Sequence, residues 1–193
     1  MHPELRAKFP HAAYIDPTAR VYGAVEIGPE ASLWPYAVIR AEGFLVRIGR
    51  CTNLQDHVMV HVGYNAPTIV GDYCSITHRA VLHGCTIGDN CLIGIGATVM
   101  EGAVIGENSI VAGHSYVADN TAVPPNSIVM GTPAKVVRTR DSFVANRVNA
   151  MLYLRNALAY ARGEHRAWDG PDYEAELRRW QAEAVREVAA RNA

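Results

Sequence analysis

An aliphatic residue recurs every six positions along most of this chain. One run is Ile15, Val21, Ile27, Leu33 and Ile39; a second is Ile48, Leu54 and Val60; a third is Val70, Ile76 and Leu82; the last is Ile87, Ile93, Val99, Ile105, Val111, Val117 and Val123. A helix needs a period near 3.6 and an ordinary strand a period of 2, so a period of six satisfies neither over such a length. It suits short strands joined by tight corners, each sending one large aliphatic into a shared core. Two positions before the aliphatic most repeats carry a small residue, as at Ala19, Ala31, Ala37, Thr52, Ala80, Ala97 and Ala103. Cys74, Cys85 and Cys91 occupy the same position, so they read as small buried hydrophobes. No Cys-x-x-Cys is present, which argues against a thiolate metal site or a redox pair.

The pattern covers roughly Ile15 to Val137 and resembles the hexapeptide-repeat, left-handed β-helix family. The resemblance implies the left hand, and it implies triangular coils of three hexads stacked about 4.8 Å apart. The repeat breaks between Ile39 and Ile48, between Val60 and Val70, and between Leu82 and Ile87. Insertions in a repetitive scaffold map to loops, often on the binding face, so Ala41–Arg47 and Val62–Ile69 are expected as loops walling a site. With each interrupted stretch counted as one hexad, those at 39, 60 and 82 share a face, and those at 54 and 76 share another. Arg40, His61 and His83 then form an outward column, and Asp56 lies over His78. Imidazoles one coil apart can share an ion, because metal–nitrogen bonds are about 2.0–2.1 Å long. His78 lies around the corner, and a trimer packed along the prism would bring it opposite His61 and His83 of the next subunit. His2, His11, His57, His114 and His165 are read as ordinary solvated or hydrogen-bonded residues.

Four runs carry a closer likeness: Arg40-Ala41-Glu42, Ile48 to Asp56 (with Asn53, Leu54 and Gln55), Val60-His61, and Ile76 to Cys85 (with His78 and His83). In order and spacing they resemble the γ-class carbonic anhydrases. The resemblance implies reversible CO2 hydration, giving bicarbonate, by hydroxide formed on a metal at a trimer interface. His61, His78 and His83 match the metal ligands, with Zn2+ expected and Fe2+ or Co2+ as alternatives. Gln55 matches the residue that orients the hydroxide, and Asn53 its support. Arg40 and Asp56 match an ion pair across the subunit boundary, with Glu42 where the family usually has Asp. Thr77 stands where Gly is usual. The segment Val62–Ile69 has no acid to match the family's glutamate-rich proton shuttle, so Glu42, His57 or buffer is left to substitute. Two other readings stay open. One is a hexapeptide acyltransferase using a histidine as general base with CoA. The other is a non-catalytic trimeric scaffold with a structural metal.

After Val137 helical spacing begins, which divides the chain into a left-handed β-helix domain over 1–137 and a C-terminal helical appendage over 138–193. Asp141 or Ser142 can cap a helix whose apolar side includes Val144, Val148, Met151, Leu152 and Leu158, with Gly163 at its end. Tyr153 and Tyr160 resemble a paired-tyrosine helix of the same family, which makes Tyr153 a site candidate, with core packing as its alternative. A last helix is expected from Asp172, with Tyr173, Leu177, Trp180, Ala184 and Val188 on one side. A net charge of −1 gives no reason to expect nucleic acid or an anionic membrane as partner. No stretch approaches the roughly 20 apolar residues of a membrane span. Residues 1–10 carry Glu4, Arg6 and Lys8 without an apolar core, so no signal peptide is expected, and a cytoplasmic protein is the expectation.

Overall fold

In the computed structural model, which describes residues 3–191, most strands are two or three residues long and end on or beside a repeated aliphatic. His2 lies outside the described residues. The strands stack in parallel as three faces of a left-handed β-helix. On the first face Ile15, Leu33, Leu54, Ile76, Ile93, Val111 and Val129 lie in one column. On the second, Val21, Ile39, Val60, Leu82, Val99 and Val117 do the same. The third stacks Ile27, Ile48, Val70, Ile87, Ile105 and Val123. The interrupted stretches therefore each count as one hexad, as the spacing requires. Every member of the first column is at most 1% exposed. Each such side chain contributes roughly 1.5–3 kcal/mol by leaving water.

The two insertions behave differently. Ala41–Arg47 is not the expected loop. The strand Val38–Ile48 runs straight through it and pairs with Arg20–Ile27 of the preceding coil, slipping register between Gly23 and Val25. Pairing satisfies backbone groups that a buried loop would leave open, and a bulge takes up the surplus residues. Because Val38–Arg40 pairs with Met59–His61 and Val46–Ile48 with Thr68–Val70, this strand joins the second and third faces into one ten-stranded sheet. The second insertion is a true loop between His61 and Thr68.

Both ends of the stack are covered. Helix α1 (Pro3–Lys8), which the hexad pattern did not signal, lays Leu5 in the core, and Phe9 follows it there. At the other end the parallel coils stop at Gly131, short of the expected Val137. Ala134–Thr139 instead runs back antiparallel to Ser127–Gly131. Pro133 lacks the N–H that a further ladder rung would need, and the reversal covers an edge that would otherwise be open. Helix α2 (Phe143–Ala161) starts where Asp141 Oδ1 accepts a hydrogen bond from the Phe143 N–H at 2.8 Å. It packs along the first face and buries Phe143, Val148, Ala150, Ala157 and Ala159. Leu158, expected on the apolar side, is 46% exposed, because the close approach of helix to coil takes the neighbouring alanines instead. Helix α3 (Pro171–Arg191) packs on α2 and buries Trp180 and Ala184, with Tyr173, Leu177 and Val188 half-buried. Among the described residues no helix is long and apolar enough to cross a membrane.

All four cysteines are buried and free. Burial pushes the Cys51 and Cys85 thiols up to about 12. The native protein is therefore expected to resist thiol reagents at neutral pH, with labelling appearing only on unfolding, as a mass-shift time course would show. Ile93→Ala is expected to cost about 2–5 kcal/mol in chemical denaturation, since the stacked column leaves no side chain free to fill the space.

Candidate functional site

The candidate residues fall into two groups at different places on the prism. The first group sits on the second face. Ladder pairing puts Arg40 beside His61 and His61 beside His83. The two imidazole centroids are 5.2 Å apart with planes tilted by 54°. His61 Nε2 lies 3.1 Å from Glu42 Oε2, and the other Glu42 oxygen pairs with Arg40. Partial desolvation alone would raise the Glu42 carboxyl. Its own backbone N–H, the Arg40 charge and the His61 bond outweigh that and hold it below the usual carboxylate range. His83 Nδ1 is buried with no hydrogen-bond partner among the described residues. Phe44, Val62, Gly63 and Tyr64 wall this column and enclose with it an open cavity of about 480 Å³.

The wall is held by a residue the sequence reading did not single out. Glu101 accepts hydrogen bonds from the backbone N–H groups of Tyr64 at 2.8 Å and Asn65 at 2.7 Å. The Asn65 bond, then the Tyr64 bond, holds its carboxyl below the usual range. So an acid absent from Val62–Ile69 reaches that loop from two coils on. The one sequence hint is a pair of glycines. A Cβ on Gly84, at φ +62°, would stand 2.6 Å from Gly63 Cα, and one on Gly63 would stand 2.5 Å from Glu101 Cδ. Tyr64, at the tip, is 88% exposed.

The second group lies on the first face and the corner that follows it. Asn53 and Gln55 flank the inward Leu54 and point out under α2, where both are buried. Gln55 Nε2 donates to Asn53 Oδ1 at 3.0 Å, and Asn53 Nδ2 donates to Ser75 Oγ at 3.0 Å. Ser75 Oγ donates in turn to Asn149 Oδ1 of α2 at 2.7 Å. At the corner Asp56 Oδ2 is 2.9 Å from His78 Nδ1. Tyr153 packs edge-on against Trp34 and Trp168. Burial, aided by the Asp56 carboxylate, pushes its hydroxyl up to about 12. His57 stacks on Tyr36 with centroids 5.0 Å apart. Within one chain, Arg40 and Asp56 thus have local partners, Glu42 and His78. Among the described residues, no three His, Cys, Asp or Glu side chains of a single chain converge to hold a metal.

A family model described as "Bacterial transferase hexapeptide (six repeats)" matches residues 84–119. A protein of Methanocaldococcus jannaschii described as "Probable carbonic anhydrase" is 52% identical over 139 residues, covering 71% of this chain and 87% of the relative. Gamma carbonic anhydrase 3, mitochondrial, of Arabidopsis thaliana is 48% identical over 157 residues, covering 77% of this chain and 61% of the relative. Among solved structures, a hexapeptide transferase family protein from Anaplasma phagocytophilum superposes with a TM-score of 0.65 at 31% identity, over 78% of this chain and 91% of that one.

The Glu101 clamp has a definite pH dependence. A carboxyl depressed by folding stabilises above its unfolded pKa and loses that contribution as pH falls through the folded one. Amide exchange at Tyr64 and Asn65, corrected for intrinsic rates, is expected to quicken on acidification below the usual glutamate range. In Glu101→Ala both amides should exchange fast at every pH.

Proposed function

Since this chain belongs to the γ-class carbonic anhydrase family of hexapeptide-repeat proteins, we propose that it hydrates CO2 reversibly to bicarbonate at a metal site shared between subunits of a homotrimer. The observation that carries this reading is the stacking of His61 on His83, their rings 5.2 Å apart, with His78 displaced to another corner. Zn2+ is the ion we assign, with Fe2+ and Co2+ as alternatives that also accept imidazole. The residues fit it. Three imidazoles and an open position make the donor set of a catalytic zinc, and the buried His83 Nδ1 lacks a hydrogen-bond partner among the described residues. His61 and His83 would hold the ion from one subunit, and His78 from the next. When bound, the ion supplies a Lewis acid that brings the pKa of water to about 7.

The chain's own residues do the rest. Asn53 commits its amide N–H to Ser75 and so turns its oxygen to Gln55. That fixes the Gln55 amide with Oε1 as its free acceptor, oriented to take a hydrogen from an attacking water. Glu42, ionised and open to the cavity beside His61, is the carboxylate best placed to pass a proton to solvent. Tyr153 keeps its proton at neutral pH and packs over the Asp56 side of the site. Arg40 and Asp56 face the boundary where a second copy would dock. The transferase repeat model and the Anaplasma structure favour a second reading, a hexapeptide acyltransferase. That chemistry would use one histidine as general base and leave the stacking of His61 on His83 without a role.

Protein expressed with added metal is expected to carry about one ion per chain, three histidines being one tetrahedral donor set. His78→Ala should lose it while keeping the β-sheet circular dichroism signal. Stopped-flow CO2 hydration should exceed background and rise with imidazole buffer, because proton export limits turnover. Absence of metal in the unsubstituted chain overturns the reading. Metal without hydration points to the structural-metal scaffold.

A further inference from the structure

The three histidines do not present themselves alike. His61 meets a carboxylate at Nε2, where Glu42 Oε2 lies 3.1 Å away. His83 has a buried Nδ1 with no partner among the described residues. His78 alone meets a carboxylate at Nδ1, where Asp56 Oδ2 lies at 2.9 Å. That contact is built into the stack. Asp56 and His78 each stand two positions past an inward aliphatic, Leu54 and Ile76, and those two are ladder partners. The corner is tied again one residue on, where the Arg79 N–H donates to the Asp56 carbonyl at 3.0 Å. The side chains therefore meet without either backbone having to move.

A carboxylate can only accept. A neutral imidazole facing it must carry its hydrogen on Nδ1, which leaves the lone pair on Nε2. An imidazole without such a partner favours the opposite tautomer in water. We propose that Asp56 is a positioning residue for the metal centre: by accepting the Nδ1 hydrogen of His78 it fixes the tautomer and ring orientation that present Nε2 as the donor. One subunit thus delivers a pre-oriented ligand to the His61 and His83 of the next. This rests on the metal-site reading above and adds to it a role for Asp56 through His78 that an ion pair with Arg40 would not supply.

The tautomer can be read before any metal is added. In the full-length, 15N-labelled, metal-free protein, long-range proton–nitrogen correlation at pH 8 is expected to show Nδ1 of His78 as the protonated nitrogen. Asp56→Ala should move the population toward the Nε2-protonated form. It should also weaken Zn2+ binding, measured by chelator competition, about 10–100-fold. Asp56→Asn keeps an acceptor oxygen without the charge and should fall between, and it serves if the alanine variant does not fold. Arg40→Leu removes the other half of the expected ion pair and should leave the His78 tautomer unchanged, whatever it does to assembly. Wild-type tautomer and affinity in both Asp56 variants overturn this inference alone. Failure of the unsubstituted chain to bind Zn2+ overturns the metal reading and this role with it.

Discussion

The parallel hydrogen-bond ladder between successive coils is the constraint on which the rest of the molecule depends. It pairs backbone groups residue for residue, so side chains at equal offsets from the repeated aliphatics become neighbours however far apart they lie in sequence. Inward, that rule makes unbroken columns such as Ile15 to Val129 on the first face. Outward, it sets His61 beside His83 and Asp56 beside His78. The proposed site thus borrows its geometry from the core, and even the five-residue step from Leu82 to Ile87 keeps the columns in register. The insertions that are tolerated fall where the stack absorbs them. One is a bulge in Val38–Ile48 and the other a loop clamped by Glu101.

The same ladder keeps the two groups of polar residues apart. Arg40, Glu42, His61 and His83 belong to one stretch of surface, and Asn53, Gln55, Asp56, His78 and Tyr153 to another. The groups differ in character. The first is open to its cavity and lined by Phe44 and Tyr64, while Asn53 and Gln55 in the second are buried, each with an amide N–H committed to a hydrogen bond. A shared site in the proposed trimer would therefore bring an adaptable half against a rigid one. Helix α2 acquires a purpose from this. Asn149 closes the chain of hydrogen bonds that begins at Gln55, so the helix that shields the first face also orients an amide of the proposed site.

Much of this was legible from spacing alone, and the reason is physical. A repeat whose period matches neither helix nor ordinary strand has few ways to bury its aliphatics, and counting hexads then gives the neighbours directly. What escaped was whatever depends on contacts outside the repeat. Glu101 is marked in sequence only by the glycines it packs against, since the loop it clamps lies two coils away. The strand through Ala41–Arg47 escaped because a length change does not say whether the surplus is paired or open. Leu158 departs from its expected side because helical periodicity ranks residues by hydrophobicity, while the tight contact with the coils selects for size. The antiparallel return at Ala134–Thr139 was hidden because its aliphatics, Val136 and Val137, look like further rungs.

The covered ends of the stack bear on how the protein comes apart. A solenoid frays from its termini, because a terminal coil has a neighbour on one side only. Here α1 occupies one end and the returning strand Ala134–Thr139 the other, while His61 and His83 lie between Ile39 below and Val99 above on their face. Thermal breathing must pass a cap and at least one intact coil before it reaches those histidines. The centre of the array is thus the last part to lose its order, and the capped ends serve it as sacrificial length.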